Sequence, residues 1–243
     1  MTIKLIGIYF LILVTLMLQA CATVQLNKTP EEIYSQGETN FRKGNYEEAI
    51  AEWKKVKESY HSPELSARAE IGIADAYFMD KDYIEAAAAY EDFRKLHPVH
   101  AKAEYALFRQ GMSYYRQIHG IDTDQLPVNN AVTILESYLK LYPTGEYIQE
   151  VRDSLKDCRN KQLQYEIYVG RYYLKTDKYP AAIARFEAAL ARFPDSAHRD
   201  ELLFYLGKAY REAGDNEKAR NAYEKLVKEY PASPFAAKAP KNL

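Results

Sequence analysis

Two cysteines, five histidines and the aspartates Asp122 and Asp124 are the residues of this 243-residue chain whose types and spacing could do chemistry. Of the histidines at 61, 97, 100, 119 and 198, only His97 and His100 lie close, bracketing Pro98 and Val99. No third ligand type stands near them, so the spacing does not make a metal site. Asp122 and Asp124 are spaced as in a calcium loop, but the glycine and distal glutamate of such a loop are missing, which predicts a plain turn. No glycine-rich phosphate loop, nucleophile elbow or paired acid and base stands out. The expectation is a chain with no catalytic residue, no metal and no cofactor. Cys158 reads as a helix-packing thiol, and Cys21 as the one residue placed for covalent modification.

What precedes Cys21 gives it that role. Lys4 begins a positive start, an apolar run follows from Leu5 to Leu18, and Leu18-Gln19-Ala20 leads into the cysteine. Residues 1–20 read as a signal peptide, since the run is shorter than the roughly 20 apolar residues that span a bilayer. The tetrapeptide resembles the bacterial lipobox, departing from it at Gln19, where a smaller residue is usual. That resemblance implies lipidation of Cys21 as the mature N-terminus. Ala22, standing where an aspartate favours inner-membrane retention, implies sorting to the outer membrane. Two or more acyl chains anchor stably. Residues 21–29 then form a lipidated tether, whose eight residues between Cys21 and Pro30 reach at most ~28 Å.

Composition says what the rest can be. With 47% hydrophobic and 28% charged residues, the chain is that of a folded, water-soluble body. Its 33 basic residues nearly balance 34 acidic ones, so no global field draws it to nucleic acid. Twenty-two tyrosines against one tryptophan point to a recurring slot. Gly37, Ala74 and Gly111 stand 37 residues apart, and Gly170 and Gly207 repeat the interval. An alanine follows twelve positions later at Ala49, Ala86, Ala182 and Ala219, and an aromatic four beyond it at Trp53, Tyr90, Phe186 and Tyr223. Pro98, Pro143, Pro194 and Pro231 close the units.

This is the tetratricopeptide pattern, predicting an all-α solenoid of about five helix-turn-helix repeats. Small residues on paired helices are expected to face each other, with the aromatics filling the space between pairs. The third unit carries eight extra residues within His119 to Pro127, and an extended charged helix from about Glu146 to Tyr168 precedes the fourth. Residues 30–143 are therefore expected to hold repeats one to three, and 144–243 repeats four and five with a short tail.

The irregular features are more specific than the repeats. The insertion with Asp122-Thr123-Asp124-Gln125, then Arg159-Asn160, Tyr165-Glu166, Tyr172-Tyr173-Leu174-Lys175 and Tyr179-Pro180-Ala181-Ala182 with Arg185, resembles the BamD family. Its members are repeat lipoproteins of the outer-membrane β-barrel assembly machine, and the likeness covers nearly the whole mature chain. It implies an outer-membrane anchor, a periplasmic body, a BamA-like barrel subunit and other lipoproteins of the machine as partners, and contact with unfolded outer-membrane proteins. The competing expectation is a repeat lipoprotein of another envelope complex, such as a pilus-secretin pilotin or a division-linked peptidoglycan coordinator.

In a solenoid the first helix of each repeat lines the concave face. Register places Tyr34, Phe41, Arg42, Arg68, Phe78, Phe108, Tyr115 and Arg116 there, an aromatic surface with arginines that suits the aromatic-ended terminus of an unfolded barrel chain. The same residues would serve equally as inter-repeat packing and solvated charge. In the last two repeats Ile167, Arg171, Leu174, Lys175, Phe204, Lys208 and Arg211 give a more basic lining. The resemblance implies that Arg199-Asp200 meets the BamA-like subunit, and Lys208 and Arg211 of the basic lining are expected to join that contact.

Overall fold

The computed structural model describes residues 28–59 and 62–240. The expected signal peptide, Cys21, all of the tether but its last two residues, and His61 lie outside the described residues. Ten α-helices follow in order among the described residues: α1 (Pro30–Arg42), α2 (Tyr46–Ser59), α3 (Pro63–Met79), α4 (Tyr83–Leu96), α5 (Ala103–Arg116), α6 (Leu126–Leu141), α7 (Ile148–Lys175), α8 (Tyr179–Arg192), α9 (Arg199–Glu212) and α10 (Asn216–Glu229). They pack as five successive antiparallel pairs, and no strand interrupts them among the described residues. The fold is the all-helical repeat stack that the spacing predicts.

Local chemistry sets the ends. Thr29 and Glu32 form a reciprocal capping box at the start of α1, with Pro30 at the first helical position, which satisfies amides that no helical carbonyl can reach. Gly44 and Gly214 take φ of +80° and +85° in the turns inside the first and last pairs. Asp124 in the insertion accepts a hydrogen bond from the Leu126 amide at 2.9 Å, so this aspartate belongs to the entry of α6.

The packing rule differs from the expected one. The small residue of the first helix faces the aromatic of the second, within the same pair. A Cβ added at Gly37 would come 2.5 Å from Nε1 of Trp53, and one at Gly207 2.9 Å from the Tyr223 ring. In the third pair Leu135 takes the aromatic's place, with its Cδ2 2.7 Å from a Cβ at Gly111. Trp53 also reaches the next pair, where Gly72 of α3 leaves room for its other edge at 3.0 Å.

The expected bracing helix and the first helix of the fourth repeat are one element. α7 runs 28 residues without a break, about 42 Å at 1.5 Å per residue. Its first half, with Val151, Leu155 and Cys158, joins the core of α5 and α6. Its second half, with Leu163 and Ile167, joins the core of α8 and α9. The change of packing partner thus falls inside α7. At the far end Phe235 of the tail packs against Phe204 and Tyr205, covering the last pair.

Candidate functional site

First helices meet along one side of the stack, α1 with α3, α5 with α7 and α7 with α9. That side is the inner face, because the side on which successive elements approach is the one a curved stack encloses.

Three arginines bridge neighbouring first helices by lying on a ring. Arg68 of α3 sits over Tyr34 of α1 at 4.4 Å and reaches Glu38 at 4.0 Å. Arg109 of α5 sits over Phe78 of α3 at 3.5 Å. Arg171 of α7 sits over Tyr205 of α9 at 4.9 Å and reaches Glu201 at 3.7 Å. Stacking keeps the planar cation flat against apolar surface while its edge stays free for polar partners.

Behind Arg109 is a buried polar cluster. Its Nε donates to the Tyr90 hydroxyl at 3.2 Å, and that hydroxyl donates to Asp75 Oδ1 at 2.5 Å. Tyr105 donates to the same oxygen at 2.7 Å. Burial raises the Asp75 carboxyl above its ordinary value, while the two phenol bonds and the Arg109 charge pull it back. Burial and the nearby Asp75 both raise the Tyr90 and Tyr105 phenols, so these remain neutral donors.

Of the eight residues expected on this face, Tyr34, Arg68 and Phe78 join these bridges. Tyr115 is half-buried, donates to Asp157 at 2.9 Å and has its phenol pushed up to about 12 by burial and that carboxylate. Arg42 and Arg116 are exposed, Arg42 touching Thr39 at 3.5 Å. Phe108 and Ile167 lie in the core and not on the open face. Phe108 is 5% exposed and stacks on Tyr147 at 4.3 Å, so its ring is part of the core. Phe41 is half-buried between Tyr46 and Trp53, closing the first pair. Ile167 is likewise core, at 2%. Arg109, the residue most firmly set on the face, was not among those expected.

In the second half, Arg199 donates to the carbonyls of Leu190 and Phe193 at 2.9 and 3.0 Å, capping the end of α8. Asp200 accepts from Ser233 at 2.5 Å and holds the tail. Both side chains are therefore engaged within the chain. Arg211 pairs with its neighbour Glu212 at 2.9 Å. Lys208 is exposed in an open groove of about 740 Å³ with Tyr168, Tyr172 and Tyr205.

On the opposite side, the continuity of α7 leaves a second groove between α6 and the loop after α8. It holds about 720 Å³, with Val132, Leu139, Leu155 and Phe193 among its apolar lining and Arg152, Lys156, Arg159 and Arg192 among its cations. Glu136 engages Arg159 at 2.9 Å. Cys158 is buried beside these walls, its thiol pushed up to about 12 by burial, as befits a packing residue.

A sequence model of the outer membrane lipoprotein family, YfiO, matches residues 26–224. The chain belongs to this family. The outer membrane protein assembly factor BamD of Caulobacter vibrioides is 31% identical over 190 residues, which cover 78% of this chain and 62% of that protein. The protein of the same name from Neisseria meningitidis serogroup A is 24% identical, covering 92% of this chain and 91% of its own length. The chain thus spans less than two thirds of the Caulobacter relative. Among solved structures, the TPR2AB domain of yeast Sti1 overlays with a TM-score of 0.47 and 14% identity, across 85% of this chain and 80% of that one, a likeness too loose to carry function.

Proposed function

We propose that this chain is a lipid-anchored scaffold on the periplasmic face of the outer membrane that serves outer-membrane protein assembly and catalyses no reaction. The observation that carries the reading is the family match across residues 26–224, joined to relatives that bear the name outer membrane protein assembly factor. In this reading Cys21 carries the lipid. The inner face, with its arginine-on-ring bridges, receives unfolded outer-membrane proteins. A BamA-like barrel subunit docks on the groove beside α7, whose apolar floor and cationic rim suit an acidic, partly apolar surface. Arg199 then acts by holding the wall of that groove, because it fixes the end of α8.

The test is affinity capture of the full chain from detergent-solubilised membranes, followed by mass spectrometry. A barrel subunit at near-equal amount is expected, together with other lipoproteins of the machine. The exposed double variant Lys156→Glu, Arg192→Glu is expected to lose the barrel subunit while melting like the parent. Recovery of secretin or division components without a barrel subunit would replace this reading with the competing one.

A further inference from the structure

Three arginines bridge first helices by stacking, and two of them have their charge closed by a glutamate of the neighbouring helix, Arg68 by Glu38 and Arg171 by Glu201. Arg109 has no such partner. Its stack is the tightest of the three, 3.5 Å to the Phe78 centroid against 4.4 and 4.9 Å. Its Nε is tied to Tyr90, and the nearby carboxylate of Asp75 is taken up by the hydroxyls of Tyr90 and Tyr105. Among the described residues, neither terminal nitrogen of Arg109 has a hydrogen-bond or ion-pair partner. A guanidinium fixed at its face and at one nitrogen, with its remaining donors open, has already lost the freedom that binding an anion would cost it.

We propose that Arg109 is the anchor of a carboxylate-binding site on the inner face, taking a peptide carboxylate that lies beside an aromatic side chain. The planar fork matches a carboxylate with two parallel bonds. Phe78 and Tyr105 flank it and supply ring surface for the neighbouring side chain. The carboxylate comes from a chain terminus or from an acidic side chain, which share this chemistry. The site rests on the reading that the inner face receives unfolded chains, and it names the group by which they are held.

The experiment titrates the full chain in detergent with three labelled peptides of one aromatic sequence: a free C-terminal acid, its C-terminal amide, and an amide carrying an internal aspartate. The expected result is a preference of roughly tenfold for at least one carboxylate peptide over the neutral amide, the scale of a charge-assisted pair. Which peptide gains identifies the source. Arg109→Gln is expected to erase the preference by bringing the carboxylate peptides down to the affinity of the neutral amide in the same variant. Equal binding of all three peptides by the unaltered chain overturns the site without recourse to any variant, and so does a preference that survives in Arg109→Gln. Failure of every peptide to bind overturns the wider substrate reading as well, which keeps the two failures apart.

Discussion

Lys81 stands at φ 66° in the turn between α3 and α4, seven positions after the small residue of its helix. Glycine fills the same slot at Gly44 and Gly214, and Asp177 takes it at φ 58°. A left-handed residue with a Cβ costs about 1–2 kcal/mol, offset in part by the greater freedom of glycine in the unfolded chain. Asp177 has a compensating bond, accepting from the Tyr179 hydroxyl at 2.7 Å, whereas Lys81 is exposed and has no side-chain partner among the described residues. Lys81→Gly is therefore expected to raise stability by about 0.5–1 kcal/mol in urea titration, and Asp177→Gly by less. A destabilised Lys81→Gly would contradict the account. The glycine and aromatic slots are plain from spacing alone, but their pairing is not. Spacing places a residue around its own helix and says nothing of cross-helix register, so Gly37 against Trp53, and Trp53 against Gly72, needed the packed structure. The Arg109 cluster was hidden for the same reason: Asp75, Tyr90 and Tyr105 come from three helices, and Tyr90 belongs to a second helix that the inner-face register leaves out.

At the scale of the element, α7 decides how the stack is joined. Between Ile148 and Lys175 the sequence holds no proline and only Gly170, and that lack of a breaker is the signal for one helix. The lengthened interval between Gly111 and Gly170 invites a separate brace only if the repeat period is taken as binding. Because one half of α7 belongs to the core of α5 and α6 and the other to that of α8 and α9, strain at its middle should uncouple the two. Lys161 lies between these halves, half-exposed, pairing with Asp157 at 3.5 Å. Lys161→Pro removes a helical bond and forces a clash, costing about 3 kcal/mol or more. The expected outcome is a thermal melt split into two transitions, while Lys161→Ala keeps the parent's single one. A single transition in the proline variant would show that the halves are joined elsewhere.

For the whole molecule the abundance of tyrosine has a consequence in pH. Tyr90, Tyr105, Tyr138 and Tyr210 are all raised from their ordinary 10.0 by burial first, and each then hydrogen-bonds to a carboxylate: Asp75 for the first two, Glu104 and Glu187 for the others. These bonds staple different helices, as where Tyr138 donates to Glu104 at 2.6 Å and the Glu146 amide donates to the same oxygen at 2.7 Å. Phenols raised in the folded state bind their protons more tightly than those of the unfolded chain. Their contribution is therefore fully present below pH 10 and is lost as pH rises through their folded values. Cys158, raised from 9.0 to about 12, adds the same trend from pH 9 upward. The melting temperature is expected to hold level from neutral pH to about 9 and to fall steeply above 10, with tyrosinate absorbance appearing together with loss of helix in circular dichroism. Gradual tyrosinate formation in a chain that stays helical would show that these phenols are not the staples of the stack.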